Sequence, residues 1–312
     1  MNAAAPATPL VWFEHVTRWY GQVVALRDVS IPIGNGVLGL LGPNGAGKTT
    51  FIRVLTGCMP PSQGRALLFG LPAFGTPDLY RRIGYCPDHD NFFEFMTGRE
   101  FVETLLGVHG FGASDRKARA ARALDRVKAN EFADRKIYTY SKGMRQRLKI
   151  AQALGHDPEL LILDEPLNGV DPLIRRDVIE LVRELGKEGK SVIVSSHVLH
   201  EVEAMTPNIV LIHKGRVKAY GNVHEIRGLI DRHPHSIQLR TPRARDLAAL
   251  LARQPDVSEI VIGADQVTIR TPAPDRFYSA LPALILDSGI DVHELHSPDD
   301  NLDAVFRYLT EA

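Results

Sequence analysis

The chain has 312 residues, of which 44% are hydrophobic and 24% charged, so it can bury one large core and a small second one. Lys plus Arg equals Asp plus Glu at 37 each, which removes any global field drawing it to nucleic acid or anionic lipid, and no nucleic-acid partner is expected. Its two cysteines, Cys58 and Cys86, make no bridge framework and read as small apolar packing in a reducing compartment.

The opening MNAAAPATPL lacks a basic start followed by an apolar block, so residues 1–9 read as a disordered lead rather than a secretory signal. The longest apolar runs fall far short of the roughly 18 residues a spanning helix needs, and any membrane attachment is expected through a partner. Two β-rich segments follow, about Leu10 to Tyr20 and Val23 to Ile33, joined at Gly21-Gln22. A short apolar strand, Val37 to Leu41, then meets a glycine loop and a helical stretch to Leu55. Ile83 to Tyr85 reads as a strand, and Thr97-Gly-Arg-Glu100 as a capping box before a helix carrying Phe101, Leu105 and Leu106.

Residues 114 to 129 predict a basic helix whose inward edge is Ala121, Leu124 and Val127. Next come a helix from about Ser141 to Leu154, a strand at Leu160 to Leu163, a helix from Pro172 to about Lys187 and a strand at Ser191 to Ser195. Strands alternating with helices predict an α/β core around a mostly parallel sheet. After Gly221 the texture changes, and residues 222–235, with His224, His233 and His235, read as a solvated linker rather than a metal site. Residues 236–312 predict strand (Ser236 to Leu239), helix (Arg243 to Arg253), strand (Val257 to Ile262), strand (Gln266 to Arg270), helix (Asp275 to Asp287), strand (Ile290 to Leu295) and helix (Asn301 to Leu309). Up to the last strand this is the β-α-β-β-α-β order of a small α+β ferredoxin-like module.

The chemistry starts at Gly42-Pro43-Asn44-Gly45-Ala46-Gly47-Lys48-Thr49, followed by Thr50. The spacing G-x-x-x-x-G-K-[ST], between a strand and a helix, is that of a loop whose backbone N–H groups cradle a diphosphate. Lys48 is placed to reach β- and γ-phosphate oxygens, and the Thr49 hydroxyl to ligate Mg²⁺. The apolar run Leu160 to Leu163 then delivers Asp164 and Glu165 at a strand's C-terminal edge, where open α/β sheets bind ligands. Asp164 suits the Mg²⁺ shell, and Glu165 suits orienting or deprotonating an attacking water.

On these residues, together with Tyr140-Ser141-Lys142-Gly143-Met144, the stretch from about Val16 to Gly221 resembles the nucleotide-binding subunits of ABC transporters. The resemblance implies an ABC-type phosphate-loop ATPase over residues 10–221, with an N-terminal antiparallel β subdomain and a helical subdomain at about 88–158. It also implies that ATP and Mg²⁺ are the cofactors. Ser141 and Gly143 open a helix and would meet the γ-phosphate held by a second subunit. Tyr20 falls where the family stacks an aromatic ring on adenine. Asp171, in Asn168-Gly-Val-Asp171-Pro172, matches a loop touching the partner, and also makes an N-cap. His197 looks like the switch histidine that contacts the γ-phosphate. Ile209 to Val217 resembles the domain's closing hairpin.

The family usually has Gln where this chain has Asp88, which reads either as a Mg²⁺ ligand or as a surface turn residue. Lys142 and Met144 replace the usual Gly and Gln, as in the ABC-2-type exporter ATPases. Phe92, Phe93, Phe95 and Met96 follow at once, where the family docks a short helix of its membrane subunit. The partners implied are a second ATPase subunit, by preference another copy, and a polytopic permease holding the chain at the inner face of the cell membrane. A soluble ABC ATPase in a non-transport process and an ATP-binding regulatory module are the competing readings. The first has relatives that resemble tandem copies or carry long coiled-coil inserts, whereas this chain has one copy and neither insert; the second predicts losses at Lys48, Asp164, Glu165 or His197, and all four are present.

Overall fold

The computed structural model describes residues 9–223, 226 and 235–297. The chain divides into two compact units, Met1–Asn222 and Val223–Ala312.

The first unit opens with an antiparallel hairpin, β1 (Val11–Tyr20) and β2 (Val23–Ile33). β1 also pairs with β4 (Gln63–Leu68), which pairs with the short β5 (Leu71–Pro72), giving a sheet in the order β2-β1-β4-β5. The second sheet is built on β3 (Val37–Leu41), a continuous apolar strand of the kind that lies inside a parallel sheet. Its order is β10-β9-β3-β8-β7-β6, with β6 (Ile83–Cys86), β7 (Leu160–Leu163), β8 (Ser191–Ser196), β9 (Asn208–His213) and β10 (Arg216–Asn222). All neighbours are parallel except the closing hairpin of β9 and β10. Helix α1 (Lys48–Leu55) follows β3 and buries Phe51 and Ile52, with Phe51 packed on Phe13 of β1 at 4.4 Å between ring centroids.

Helices α2 (Gly98–Val108), α3 (Ala113–Arg126) and α4 (Lys142–Leu154) intervene between β6 and β7. The capping box is present: Thr97 Oγ1 accepts from Glu100 N at 3.1 Å, and Thr97 N donates to Glu100 Oε2 at 2.7 Å. The inward edge of α3 differs from expectation. Ala121 is exposed, while Ala120, Ala123, Leu124 and Val127 are buried. A turn of 3.6 residues places the stripe at i, i+3, i+4 and i+7, and a strict three-residue step drifts off it. Helices α5 (Pro172–Lys187) and α6 (Leu199–Glu203) complete the unit. Cys86 is buried as expected, but Cys58 is exposed beyond the end of α1; both are free thiols.

The second unit has β11 (His235–Arg240), α7 (Ala244–Leu251), β12 (Glu259–Ile262), β13 (Gln266–Thr271), α8 (Pro274–Ser288) and β14 (Glu294–His296). The strands lie antiparallel in the order β12-β13-β11-β14, the arrangement in which two β-α-β units interleave. Its own core gathers Ile237, Leu239, Leu247, Leu251, Ile269 and Phe277. The last strand is shorter than expected: Ile290 is buried as a core residue, but pairing begins only at Glu294. The expected helix over 301–309, His224, His233 and most of the 222–235 linker lie outside the described residues. Among the described residues no helix is long and apolar enough to cross a membrane.

Candidate functional site: a phosphate loop facing two carboxylates

Residues 42–47 connect β3 to α1, with Asn44 and Gly45 exposed at the tip and Gly42 and Ala46 buried below. Gly47 is constrained twice over, by its backbone conformation and by its neighbours. Its φ is +110°, and a β-carbon there would lie 2.6 Å from the Ala25 carbonyl oxygen of β2, so only glycine lets the loop turn into the helix. Lys48 is 6% exposed, and its ammonium donates to the carbonyl oxygens of Gly42 (2.6 Å) and Pro43 (3.2 Å). Thr49 and Thr50 follow in the first turn of α1, both half-buried.

β7 runs parallel to β3's neighbour β8 and ends at Leu163, so Asp164 and Glu165 emerge beside the loop. Glu165 takes φ +48°, a left-handed backbone that costs a non-glycine residue about 1–3 kcal/mol. Its carboxylate is drawn from two sides. Oε1 lies 3.0 Å from Lys48 Nζ, and Oε2 accepts from His197 Nδ1 at 3.0 Å. Asp164 is 1% exposed, and its Oδ1 accepts from Ser195 Oγ at 2.7 Å. Its Oδ2 is buried and has no hydrogen-bond partner among the described residues. Burial pushes the Asp164 carboxyl up from the ordinary range, while the hydrogen bond from Ser195 and the neighbouring Thr49 hydroxyl pull it down. A deeply placed carboxylate with a bare oxygen beside a threonine hydroxyl fits Mg²⁺, which takes one or two protein oxygens and keeps its other positions for water and phosphate.

The profile of the ABC transporter family matches residues 26–168. Over 214 residues the chain is 39% identical to the uncharacterized ABC transporter ATP-binding protein all4389 of Nostoc sp., a match covering 67% of this chain and 64% of that one. It therefore spans less than two thirds of that relative's length. The daunorubicin resistance ATP-binding protein DrrA3 of Streptomyces coeruleorubidus is 32% identical over 295 residues, covering 93% of this chain and 92% of its own. The chain belongs to the ATP-binding proteins of ABC transporters. A solved ATP-binding subunit of an ABC transporter superposes with a TM-score of 0.64 at 29% identity, over 71% of this chain and 93% of that subunit.

Within this ABC transporter ATP-binding domain, the remaining expected residues fall into two groups. Tyr20, at the end of β1, is 41% exposed; its hydroxyl donates to Met59 Sδ at 3.0 Å, and the Arg18 guanidinium lies 5.1 Å from its ring. Asp88 is exposed after β6, and its carbonyl accepts from Lys149 Nζ at 2.7 Å. Its carboxylate is close enough to raise the Asp164 carboxyl further, and Asp88 and Glu165 line one cavity of about 440 Å³. The second group is built on helix caps, and Lys142 between Ser141 and Gly143 lines that same cavity. Ser141 caps α4, accepting from Met144 N at 3.3 Å, and Asp171 caps α5, accepting from Ile174 N at 3.0 Å. Gly143 lies between them, where a β-carbon would come within 1.9 Å of Ile174 Cδ1. Among the described residues no hydrogen bond or ion pair links Ser141, Gly143 or Asp171 to Lys48, Glu165 or His197.

Three contributors escape a reading of the sequence. Ser195 is fully buried, donates to Asp164, and accepts from Glu165 N at 2.8 Å. Glu201, also buried, pairs with Arg175 at 3.1 Å and accepts from Ser196 Oγ at 3.2 Å, tying the turn that carries His197 to the start of α5. Arg145 grips Glu94 through two hydrogen bonds of 2.6 and 2.8 Å, tying α4 to the phenylalanine segment. In that segment Phe92 and Met96 pack on the core, whereas Phe93 and Phe95 are 50% and 68% exposed. Paired hydroxyls and charges inside otherwise apolar or strand-end sequence are the only signal these residues leave.

Proposed function

We propose that the chain hydrolyses ATP in a nucleotide-sandwich dimer with a second copy, and that the cycle drives transport, in the direction of export, through a separate membrane permease. The observation that carries this reading is the convergence of Lys48, Glu165 and His197 on one point at the mouth of the phosphate loop. A triphosphate entering the loop would offer Lys48 acceptors of higher charge than the Gly42 and Pro43 carbonyls and would compete with Glu165 for its ammonium. Glu165 would then keep only the His197 contact and turn to an attacking water, orienting it or taking its proton. His197, 39% exposed, would report on the γ-phosphate at the same time.

Thr49 and Asp164, with Asp88 as a further candidate, would hold Mg²⁺. When bound, the ion neutralises charge on the β- and γ-phosphate oxygens. Tyr20 offers an exposed ring for adenine. Gly45 and Asn44 at the loop tip offer backbone N–H groups, and Thr50 extends the first turn of α1. Ser141 and Gly143 on the exposed N-terminus of α4, and Asp171 on α5, would complete the site of the opposite copy, so that closed and open dimers differ in nucleotide affinity. The exposed Phe93 and Phe95 suit a permease segment at the inner face of the cell membrane. The daunorubicin-resistance name of the Streptomyces relative supports export.

Glu165→Gln tests the reading. It should retain ATP, arrest turnover and yield a stable dimer by size-exclusion chromatography with ATP present. Continued turnover at the wild-type rate would remove Glu165 from the reaction and the proposal with it.

A further inference from the structure

Asp164 and Glu165 are consecutive, yet they need different orientations: one toward Thr49, the other toward Lys48 and His197. A regular extended chain would send them to opposite faces of the sheet. The chain solves this with the left-handed backbone at Glu165; backbone bonds from Asp164 N to Cys86 O (2.9 Å) and from Asn168 N to Glu165 O (3.2 Å) frame the turn, and one hydroxyl ties its two acidic residues together. The β7–β8 register pairs Leu163 with Val194, so the next residues, Asp164 and Ser195, meet at the strand ends. Ser195 Oγ accepts from the Glu165 N–H at 2.8 Å and lies 2.7 Å from Asp164 Oδ1. An ionised carboxylate only accepts, so the serine's one proton goes to Asp164.

We infer that Ser195 is the positioning residue that sets both carboxylates for the ATPase reaction. It fixes the peptide from which Glu165 departs, and it engages Asp164 Oδ1 so that the buried Oδ2 is the oxygen left to face Mg²⁺. Ser195 is 0% exposed and sits between β3 and β7, paired with Leu40 on the other side, so it touches neither nucleotide nor water directly. The apolar residues before it, Val192, Ile193 and Val194, show that this depth of the strand otherwise takes aliphatic side chains. The inference rests on the proposed roles of Asp164 and Glu165.

The test compares Ser195→Ala and Ser195→Thr with the wild type, reading ATP affinity in EDTA, ATP affinity with Mg²⁺, and kcat with KM. Ser195→Ala should bind metal-free ATP within about twofold of wild type, because the phosphate loop and Lys48 are untouched. The Mg²⁺-dependent part of binding and kcat should each fall by about 10- to 100-fold, the usual effect of removing a group that orients a metal ligand. Ser195→Thr should restore both. Should Ser195→Ala lose metal-free binding, Ser195→Cys, which fills the volume with a weak hydrogen-bonding group, carries the same comparison. A variant without the hydroxyl that keeps wild-type Mg²⁺ half-saturation and kcat overturns the inference. Glu165→Gln run alongside separates the two claims. Arrest there with an unaltered Ser195→Ala overturns only the role of Ser195, whereas full turnover in Glu165→Gln overturns the underlying reading.

Discussion

The phosphate loop with its facing carboxylates and the paired caps of α4 and α5 are both anion-suited, but they are finished in opposite ways. Around the loop, side chains bind one another: Lys48 to Glu165, Glu165 to His197, Asp164 to Ser195, all within a few ångströms and mostly buried. Around the caps, the Ser141 and Asp171 side chains hydrogen-bond, among the described residues, only to their own helices, and Gly143 is held against Ile174 by close packing. The first region is assembled by one chain. The second is a presented surface, whose use depends on what is brought to it. The contrast supports a site shared between two copies.

The largest effects should fall on the assembled region. Lys48→Ala should weaken ATP binding and turnover together. Glu165→Gln should leave binding intact and lower kcat by about 10²–10⁴-fold, the range for removing a general base. Equilibrium dialysis and single-turnover hydrolysis separate the two. Equal losses of binding in both variants would mean that Glu165 holds nucleotide rather than driving its hydrolysis.

The presented region should behave differently. Ser141→Ala should leave ATP binding to the isolated chain unchanged while lowering steady-state turnover by about 10- to 100-fold, the cost of one hydrogen bond to a charged group. If binding by the monomer fell instead, Ser141 would belong to the same half-site as Lys48, and the contrast would fail. Gly143→Ala should also lower unfolding stability by about 1–3 kcal/mol, since the new β-carbon must displace Ile174.

A further prediction concerns the join between the helices and the sheet. His156, after α4, is buried and stacks on His109 at 4.1 Å between ring centroids, with its Nε2 2.9 Å from the Ile83 carbonyl oxygen of β6. Burial, with His109 and Arg119 adding to it, pushes its imidazole down from 6.5 to about 4. The unfolded chain takes up a proton near pH 6.5 that the folded chain refuses until about pH 4, so this stabilisation is full above 6.5 and is lost as pH falls between those values. The loss should be about 2 kcal/mol at pH 5 and about 3 kcal/mol by pH 4. Urea unfolding at pH 7 and pH 5 measures it, and His156→Gln, which can still donate to Ile83, should flatten that part of the profile. An unchanged slope would place the acid sensitivity elsewhere.

What the sequence disclosed and what it withheld divide along the same line. The loop, Asp164, Glu165 and the caps were legible because each is written locally: glycines beside a lysine, an apolar run ending in acids, Ser or Asp opening a helix. Ser195 was not, because its role needs the β7–β8 register, which joins residues thirty-one apart. The stacking of His109 on His156 is hidden for the same reason. Ala121 was misplaced by a three-residue step where the helix turns in 3.6. The exposure of Cys58 had no local marker at all.

The smallest effect, and the one that sharpens the comparison furthest, is expected at Asp88. Its carbonyl is held by Lys149, itself paired with Asp90 at 3.2 Å, so the backbone is fixed while the carboxylate stays exposed. An exposed charge acting across solvent on Asp164 and a cation beside it is worth up to about 1 kcal/mol. Asp88→Asn should therefore raise the Mg²⁺ concentration for half-maximal turnover only about two- to fivefold, while preserving kcat at saturating Mg²⁺. A direct ligand would cost more, and its loss would persist at high salt, where screening removes a purely long-range charge effect. Titrating Mg²⁺ at low and high ionic strength distinguishes the two. An unaltered titration at both would leave Asp88 a turn residue, with Thr49 and Asp164 as the protein's whole contribution to the cation.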